Sequence, residues 1–278
     1  MNKHTSLTAA AELVRDGATI AVGGNLLHRG PFAFVRELAR QEKRGLEIVK
    51  TAGAYDVDLL AASGCLRAAS CGFVGFENEF GLAPSYRRAV EQGQVEAREH
   101  ACYTVIQGLR AAAFGLPFMP AAGFDGSDLP EARGFRYVAD PYTGEHILAV
   151  PRLRPNVAVI HVPEADVEGN ARIYGTRFED VLMANAAEAV IITTERIVDW
   201  TELARQPELT AIPGFLVRAV VEAPGGAWPG SCHPLYDYDA EAVRAYLAAA
   251  GDPGHLRDYL TITADRDGSS IRATIRAR

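Results

Sequence analysis

The sequence predicts a three-layer α/β fold, in which helices cover both faces of a mostly parallel sheet. Short apolar runs alternate along the chain with segments whose apolar residues recur at helical spacing, and glycine-rich turns separate the two. No linker and no shift in composition divides the chain. We therefore expect residues 1–278 to form a single domain, with residues 252–278 as a C-terminal appendage.

The first half of the chain shows this alternation most clearly. Apolar residues between 7 and 14 share one helical face, and Gly17 follows where a left-handed C-cap is expected. A strand at 18–22 ends at a glycine pair, and Pro31 opens the next helix, because proline loses no hydrogen bond at the first helical position. The same signals predict strands at 46–50, 68–74 and around residue 95, and helices at 56–63, 84–92 and 103–114.

The second half contains one long irregular stretch before the alternation returns. Residues 120–145 are rich in Gly, Pro and Asp, and an excursion of about 25 residues is long enough that a function or a partner contact should hold it in place. Beyond it we expect strands at 147–150, 157–162, 189–193 and 216–221, and helices at 179–187 and 239–249.

Composition and charge exclude several classes of protein. Of the 278 residues, 48% are apolar and 23% are charged, which is typical of a globular chain with a substantial core and excludes disordered and fibrous proteins. The 28 basic and 35 acidic side chains give a net charge of −7, and no block of five like charges occurs. Broad attraction to nucleic acid or anionic lipid is therefore not expected. The expected partner is a small molecule or another protein.

The cysteines and the N-terminus indicate a cytoplasmic protein. Four cysteines without C-x-x-C spacing predict free thiols in a reducing compartment. Residues 1–5 lead into an amphipathic segment, and the most apolar window, 111–124, holds two prolines and falls short of the roughly 20 residues that span a membrane. We expect no contact with a membrane.

The turn at residues 22–31 is the first candidate site. It contains Gly23, Gly24, Asn25 and Arg29 and lies between a strand and a helix. Open α/β sheets bind ligands at the carboxyl ends of strands, where glycines let a ligand approach the backbone. The pattern is not G-x-G-x-x-G and no Walker lysine follows, which argues against dinucleotides and triphosphates. A tight turn that needs positive φ explains the glycines equally well.

Two acidic clusters are candidates for acid–base chemistry. Glu77 follows an apolar strand between aromatic residues, and a carboxylate beside apolar rings has a raised pKa that suits proton transfer. A solvated surface turn is the alternative interpretation. Glu99 stands beside His100 before a long helix, although acidic residues there also interact favourably with the helix dipole. The histidines show no metal-binding spacing, and G-x-S-x-G is absent, so neither a metal site nor a serine hydrolase is predicted.

Residues 221–239 form the last cluster. Three prolines and three glycines prevent regular structure there, while Trp228, Tyr236 and Tyr238 offer large rigid surfaces. Such aromatic side chains are enriched at interfaces, so contact with a second protein chain is one interpretation. The other is that the rings anchor the loop in the core of its own chain.

Taken in order, several motifs resemble the A subunit of class I CoA-transferases, and most closely the glutaconate CoA-transferase group. The resemblance covers about residues 5–250. It rests on Gly23-Gly24 with Arg29-x-Pro31, Gly-Phe-x-Gly at 72–75, and the segments 81–90, 115–120, 191–198 and 222–227.

The resemblance implies a Rossmann-like fold shared with ribose-phosphate isomerases, and a B subunit of similar fold in a complex that doubles to a heterotetramer. In this family the acyl-CoA is attacked by a glutamate of the B subunit, and the reaction passes through an anhydride and a glutamyl-CoA thioester. This chain is then expected to bind no cofactor, to act on a CoA thioester as substrate, and to supply part of the pocket through Gly23, Gly24, Asn25, Arg29, Thr51 and Gly53. Glu77 and Glu99 are the candidate catalytic residues on this chain.

Two departures from the pattern leave the reaction open. Residues 50–53 read Lys-Thr-Ala-Gly, whereas many short-chain 3-oxoacid CoA-transferases carry an asparagine there that donates to an oxyanion. The chain also resembles the CoA-transferase-like hydrolases that open a ring during steroid degradation. That group uses an acidic residue near the start of the long helix, where this chain has Glu99 and Cys102. A non-catalytic sensor that binds an effector is the third interpretation, although no DNA-binding extension supports it.

Overall fold

Residues 1–265 and 267 are described in this structure, which is a computed structural model. The strands are β1 (Thr19–Val22), β2 (Leu46–Gly53), β3 (Leu66–Phe76), β4 (Gly81–Leu82), β5 (Glu96–Glu99), β6 (Phe118–Ala121), β7 (Arg136–Ala139), β8 (His146–Pro151), β9 (Val157–Ala165), β10 (Ala171–Arg172), β11 (Ala189–Ile197), β12 (Thr210–Ile212) and β13 (Val217–Glu222).

The helices alternate with these strands. They are α1 (Leu7–Glu12), α2 (Phe32–Arg40), α3 (Tyr55–Ala62), α4 (Glu77–Phe80), α5 (Pro84–Glu91), α6 (Cys102–Ala113), α7 (Leu129–Ala132), α8 (Asp180–Ala186), α9 (Trp200–Ala204), α10 (Ala240–Ala249) and α11 (Pro253–Asp265). None of the helices in the described part of the chain has the length and hydropathy needed to cross a membrane.

A parallel sheet forms the middle layer, in the order β13-β11-β9-β1-β2-β3-β5. Short antiparallel strands extend this sheet. β10 pairs with the end of β9 and β12 pairs with β10, while β4 pairs with the end of β3. Neighbouring residues of β1 show the two faces: Ile20 and Val22 pack in the core with α1, α2, α3 and α10, whereas Ala21 packs with α6 and α8. Helices therefore cover both faces, and the predicted three-layer α/β fold is confirmed.

The excursion at 120–145 belongs to a small second sheet. Strands β6, β8 and β7 pair antiparallel in that order, around a core of Ala121, Phe135, Leu148 and Val150. The strand expected at 147–150 is β8, and it pairs outside the main sheet. Sequence reasoning missed β6 and β7, because their flanking glycines and prolines resemble a loop.

The C-terminal segment is fixed to α2 by buried charges. Asp267 accepts hydrogen bonds from Arg36 Nη2 at 2.5 Å and from Arg40 Nη2 at 2.6 Å, and the Arg36 side chain is fully buried. Arg36 also donates to the carbonyl of Trp228 at 2.7 Å. Part of the appendage at 252–278 is thus α11 and its anchor, while residues 266 and 268–278 lie outside the described residues. The single domain over 1–278 stays a prediction.

His100 connects the main sheet to the small one. Its Nδ1 lies 2.9 Å from Thr104 Oγ1, which itself donates to the carbonyl of Ala101, so Nδ1 carries the proton and Nε2 accepts from Arg133 Nη2 at 3.5 Å. The ring also packs 5.7 Å from the centroid of Phe135. Burial, and the neighbouring Arg133 charge, lower the pKa of His100 to about 4.

Replacing Asp267 by Asn should lower the free energy of unfolding by about 3–5 kcal/mol, because it leaves the Arg36 charge buried without an anionic partner. Denaturant unfolding of the purified protein measures this. Asp258→Asn, on the exposed side of α11, is the matched control and should change stability by less than about 0.5 kcal/mol. If the two substitutions changed the free energy of unfolding equally, the conclusion that Asp267 stabilises the buried Arg36 would be contradicted.

Stability should also depend on the protonation of His100. Its pKa is lower in the folded than in the unfolded protein, so the unfolded state binds more protons between about pH 4 and 6.5. The contribution of about 3 kcal/mol is present above pH 6.5 and is lost as the pH falls toward 4. In the His100→Gln variant, the free energy of unfolding should depend less on pH over this range than in the wild type. His146→Gln, at an exposed position, should leave the wild-type dependence intact.

Candidate functional site

The carboxyl ends of the parallel strands form the candidate site. The turn after β1 lies there, together with the end of β2 at Thr51–Gly53 and Glu77 directly after β3. Because neighbouring strands are parallel, residues far apart in sequence meet at one edge. Most of the predicted site residues therefore lie along the same edge.

The glycines after β1 are required by the turn itself. Gly24 has a φ of +72°, and a Cβ there would collide with the carbonyl of His28. A Cβ on Gly23 would lie 2.8 Å from Asp180 Oδ1, the atom that accepts the Gly24 N–H at 2.8 Å. The simpler interpretation of this pair, a turn that needs positive φ, is confirmed for Gly24. Asn25 lies half-buried in the same turn.

Arg29 supports this turn from inside the protein. Its guanidinium forms a buried ion pair with Asp180 and donates to the carbonyls of His161 at 3.1 Å and Thr176 at 3.0 Å. The side chain is only 3% exposed, and it also lies 5.5 Å from the ring centroid of Phe178. Its donors are engaged by the protein, so a direct contact between Arg29 and substrate stays a prediction.

The end of β2 is fixed by a second buried ion pair. Lys50 Nζ lies 2.5 Å from Asp56 Oδ2 and donates to the carbonyl of Gly23 at 2.9 Å, which joins β2 to the turn. A Cβ on Gly53 would collide with Val57 of α3, so helix and strand approach closely there.

Thr51 faces the opposite side of the sheet from this pair. Its hydroxyl donates to Glu179 Oε2 at 2.9 Å, and the Cys102 thiol lies 3.4 Å from its carbonyl oxygen. Burial and the Glu179 charge raise the pKa of Cys102, so the thiol remains protonated. The four cysteines are all free, as predicted.

The fold engages Glu77 only in part. Its φ is +34°, which a residue with a side chain rarely adopts, and its Oε1 is shielded from solvent without a hydrogen-bond partner among the described residues. That oxygen lies 3.4 Å from His28 Nε2. Glu79, two residues on, instead accepts from Tyr238 and pairs with Arg244 at the surface.

Glu99 lies in a different place from Glu77. It is exposed at the end of β5, in register with Cys71, and it lines a groove of about 470 Å³ together with His100, Tyr86 and Phe73. Glu77 does not line this groove. Glu99 ends a strand and is not in the first turn of α6, so the interpretation as a helix-dipole partner is wrong.

A buried cluster that the sequence analysis missed lies behind the site. Glu195 Oε1 accepts from Tyr236 and lies 2.8 Å from His161 Nε2, while Glu195 Oε2 accepts from the Gly225 N–H at 2.6 Å. His161 and Glu195 lie on neighbouring strands, 34 residues apart, so no local motif joins them. Burial, and next the Glu195 charge, raise the pKa of Tyr236.

The same cluster offers three atoms of metal-ligand type, which lie within 4.8 Å of one another on His161, Glu195 and Cys232. They do not fit a divalent ion, because protein donors already engage both oxygens of Glu195. Burial also raises the pKa of Cys232 far above its usual range, so the thiol keeps its proton.

The loop at 224–238 is anchored within the chain. Tyr236 accepts from the Ala227 N–H at 3.1 Å, Trp228 Nε1 donates to Asp239 at 3.1 Å, and Arg36 lies 5.4 Å from the centroid of the Trp228 ring. Internal anchoring is confirmed for Trp228 and Tyr236, whereas Tyr238 donates to Glu79 at the surface, so contact of this loop with a second chain stays a prediction. Leu235 remains exposed at the tip of the loop.

Comparison with known proteins identifies a family. The family model for coenzyme A transferase matches residues 4–223. The chain is 34% identical over 255 residues to the A subunit of glutaconate CoA-transferase from Acidaminococcus fermentans, covering 86% of this chain and 80% of the relative. It is also 34% identical over 286 residues to the IpdA subunit of a cholesterol ring-cleaving hydrolase from Rhodococcus jostii, covering 99% and 96%.

A solved structure supports the fold independently. A variant of the decarboxylase AibA/AibB superposes with a TM-score of 0.86 and 37% identity, covering 95% of this chain and all of that one. By contrast, the chain spans only 56% of the length of a relative from Archaeoglobus fulgidus to which it is 36% identical. A family model matched over most of the chain, relatives of similar length and a shared fold give one conclusion: the chain belongs to the coenzyme A transferase family.

Proposed function

We propose that this chain is the A subunit of a two-subunit CoA-transferase, which moves CoA between an acyl-CoA and a carboxylic acid in a ping-pong reaction. The nucleophilic glutamate belongs to a B subunit, and two A–B pairs form a heterotetramer. Coenzyme A thioesters are substrates and no cofactor is bound. Relatives named as A subunits support this assembly, and the free cysteines fit a cytoplasmic location.

The observation that carries the proposal is that the protein engages three buried carboxylates near the candidate site; Glu77, which is engaged only in part, is considered below as a proton acceptor. Asp180 is paired with Arg29, Asp56 with Lys50, and Glu195 accepts from two donors. A carboxylate nucleophile must be free to form a covalent bond, so these groups are poorly suited to attack a thioester. A partner that brings its own glutamate resolves this difficulty.

The surface that this chain offers to the thioester consists mainly of backbone atoms. Gly23 and Gly24 allow a close approach beside Asn25, and Thr51 and Gly53 end the neighbouring strand β2. Without an asparagine at the end of β2, we assign the positioning of the acyl group to these backbone segments. Arg29 holds their shape through Asp180.

The partner has an exposed apolar surface to cover. Phe73 and Leu82 line the groove beside Glu99 and are 48% and 60% exposed, and Tyr137 on the small sheet is 51% exposed. Exposed apolar side chains of this size commonly mark interfaces. We place the B subunit over this region, where it would enclose Glu99.

A hydrolase that acts on a CoA thioester is the second candidate, and one observation favours it. Among the described residues, one shielded oxygen of Glu77 has no hydrogen bond, which suits this carboxylate to accept a proton from water. The hydrolase named among the relatives is a cholesterol ring-cleaving enzyme. Ring opening by this chain is the corresponding alternative.

The location of the covalent intermediate tests the transferase proposal. The complex with the B subunit is incubated with acetyl-CoA or glutaryl-CoA and analysed by intact mass, with borohydride trapping. We expect the CoA adduct on the B subunit, both in the wild type and when this chain carries Glu77→Gln or Glu99→Gln, because neither side chain is the nucleophile.

Glu188→Gln, in an exposed ion pair with Arg154 away from the groove beside Glu99, is the matched control for loss of a carboxylate and should behave as the wild type. An adduct on this chain would contradict the proposal. So would the loss of adduct formation in the Glu77→Gln complex.

A further inference from the structure

A groove runs between α6 and α8 on the outer side of the protein. The two helices are neighbours over the main sheet, and the space between them has a volume of about 580 Å³. Residues of α6, its C-cap and the first turns of α8 line this space, and we call it the helix groove. The lining residues used below are Ile106, Arg110, Phe114, Glu179 and Leu182.

Much of the helix groove is apolar surface that the chain does not cover. Ile106 and Leu182 are half-buried, and Phe114, the C-cap of α6, is 66% exposed. Leu116 and Phe118, which follow Phe114 in the chain, are also exposed. Exposed apolar side chains grouped in this way commonly mark a contact with another protein.

The helix groove and the groove beside Glu99 lie on opposite faces of the main sheet. Leu182 lines the helix groove and packs on the core that contains Ala21. Ala83 lines the other groove and belongs to the core that contains Ile20. A B subunit placed over Glu99 therefore does not cover the helix groove. An assembly of two A–B pairs needs one further contact, and the helix groove is free to provide it.

The charges of the helix groove are complementary to one another but are not paired within the chain. Arg110 Nη1, on α6, donates to Gln107 at 3.1 Å, and no carboxylate in the described part of the chain lies within ion-pair distance of Arg110. Glu179, the N-cap of α8, accepts from Thr51 and forms no ion pair with a described residue. A two-fold axis would bring each Arg110 to Glu179 of the other copy, so the surface is complementary to itself.

The protein fixes the backbone at Glu179 before any partner binds. The preceding residue, Phe178, has a φ of +47°, which a residue with a side chain rarely adopts, and its ring centroid lies 5.5 Å from the Arg29 guanidinium. The Thr51 hydroxyl, at the end of β2, donates to Glu179 Oε2 at 2.9 Å. A carboxylate held in this way loses little conformational freedom when it forms an intermolecular ion pair.

We propose that the helix groove binds the helix groove of a second copy of this chain about a two-fold axis, and that this contact joins the two A–B pairs. Phe114 of each copy packs on the apolar residues of the other, and Arg110 of each copy pairs with Glu179 of the other. Since Glu179 also accepts from Thr51, the second copy places a positive charge beside the candidate site. This inference rests on the proposed function, which contains two A–B pairs.

Reversal of single charges tests the contact. The complex with the B subunit is prepared with the wild-type chain, with Arg110→Glu or with Glu179→Arg, and its mass is measured by sedimentation over a range of concentrations. We expect two copies of each subunit in the wild type. In each variant, like charges meet at both symmetric positions, so the dissociation constant between A–B pairs should rise by about 10²-fold or more. Arg15→Glu, exposed and outside the helix groove, is the matched control and should leave the assembly intact.

Mixing the two variants distinguishes a contact between copies from damage within one chain. When the Arg110→Glu complex is mixed with the Glu179→Arg complex, opposite charges meet again at both positions across the two-fold axis. We expect the four-chain assembly to return. A chain that its own substitution had misfolded would not be restored by a second chain, so failure of the mixture to assemble overturns the proposal.

The apolar part of the helix groove has its own test. Phe114→Ala should also weaken the association of A–B pairs, because exposed aromatic side chains commonly contribute strongly to interfaces. Phe215→Ala, at an exposed phenylalanine outside the helix groove, is the matched control and should assemble as the wild type.

Two further results would overturn the proposal. One is a wild-type complex that contains a single copy of this chain. The other is a charge-reversal variant that loses the B subunit while two copies of this chain stay joined, since the B subunit would then occupy the helix groove. Neither result changes which subunit carries the CoA adduct, so the transferase proposal is tested separately from this contact.

Discussion

The buried ion pair between Arg29 and Asp180 determines the shape of the candidate site. Asp180 also accepts the N–H of Gly24, so one carboxylate holds both the start and the end of the turn after β1. Removing either partner would leave a charge in a region where water cannot reach it, which typically costs about 3–5 kcal/mol. The turn therefore keeps its strained backbone at Leu26 and Arg29, and His28 is presented at a fixed position.

The same principle extends along the edge of the sheet. Lys50 and Asp56 fix the end of β2 to the carbonyl of Gly23, and Glu195 joins the loop at 224–238 to β11. Paired buried charges add less stability than their number suggests, because desolvation offsets much of their attraction. Their effect here is geometric: strands β1, β2 and β11, which apolar packing alone would align only approximately, keep their ends in one arrangement.

The sequence predicted what local signals specify, which is the alternation of helices and strands and the glycine turn at the end of β1. It also placed the Gly23 turn and Glu77 at the carboxyl ends of strands, whereas Thr51 was named only through the family resemblance. It could not predict that Arg29 pairs with Asp180, 151 residues away, or that His161 meets Glu195 on the neighbouring strand. Such pairs depend on strand order, which spacing in the chain does not encode. The order of β6, β8 and β7 was hidden for the same reason.

Glu77 differs from the paired carboxylates. The fold imposes its backbone conformation, but among the described residues one of its carboxylate oxygens accepts no hydrogen bond. β3 and β4 pair through Gly75 and Phe76, and the buried Phe76 ring fixes the chain just before Glu77. Holding a residue such as Glu77 at positive φ costs of order 1–3 kcal/mol, so the surrounding packing must outweigh this strain. A solvated surface turn would relax to an ordinary conformation. Glu77 instead keeps one oxygen shielded beside His28, so the strained turn, and not a hydrogen bond, sets where this carboxylate lies.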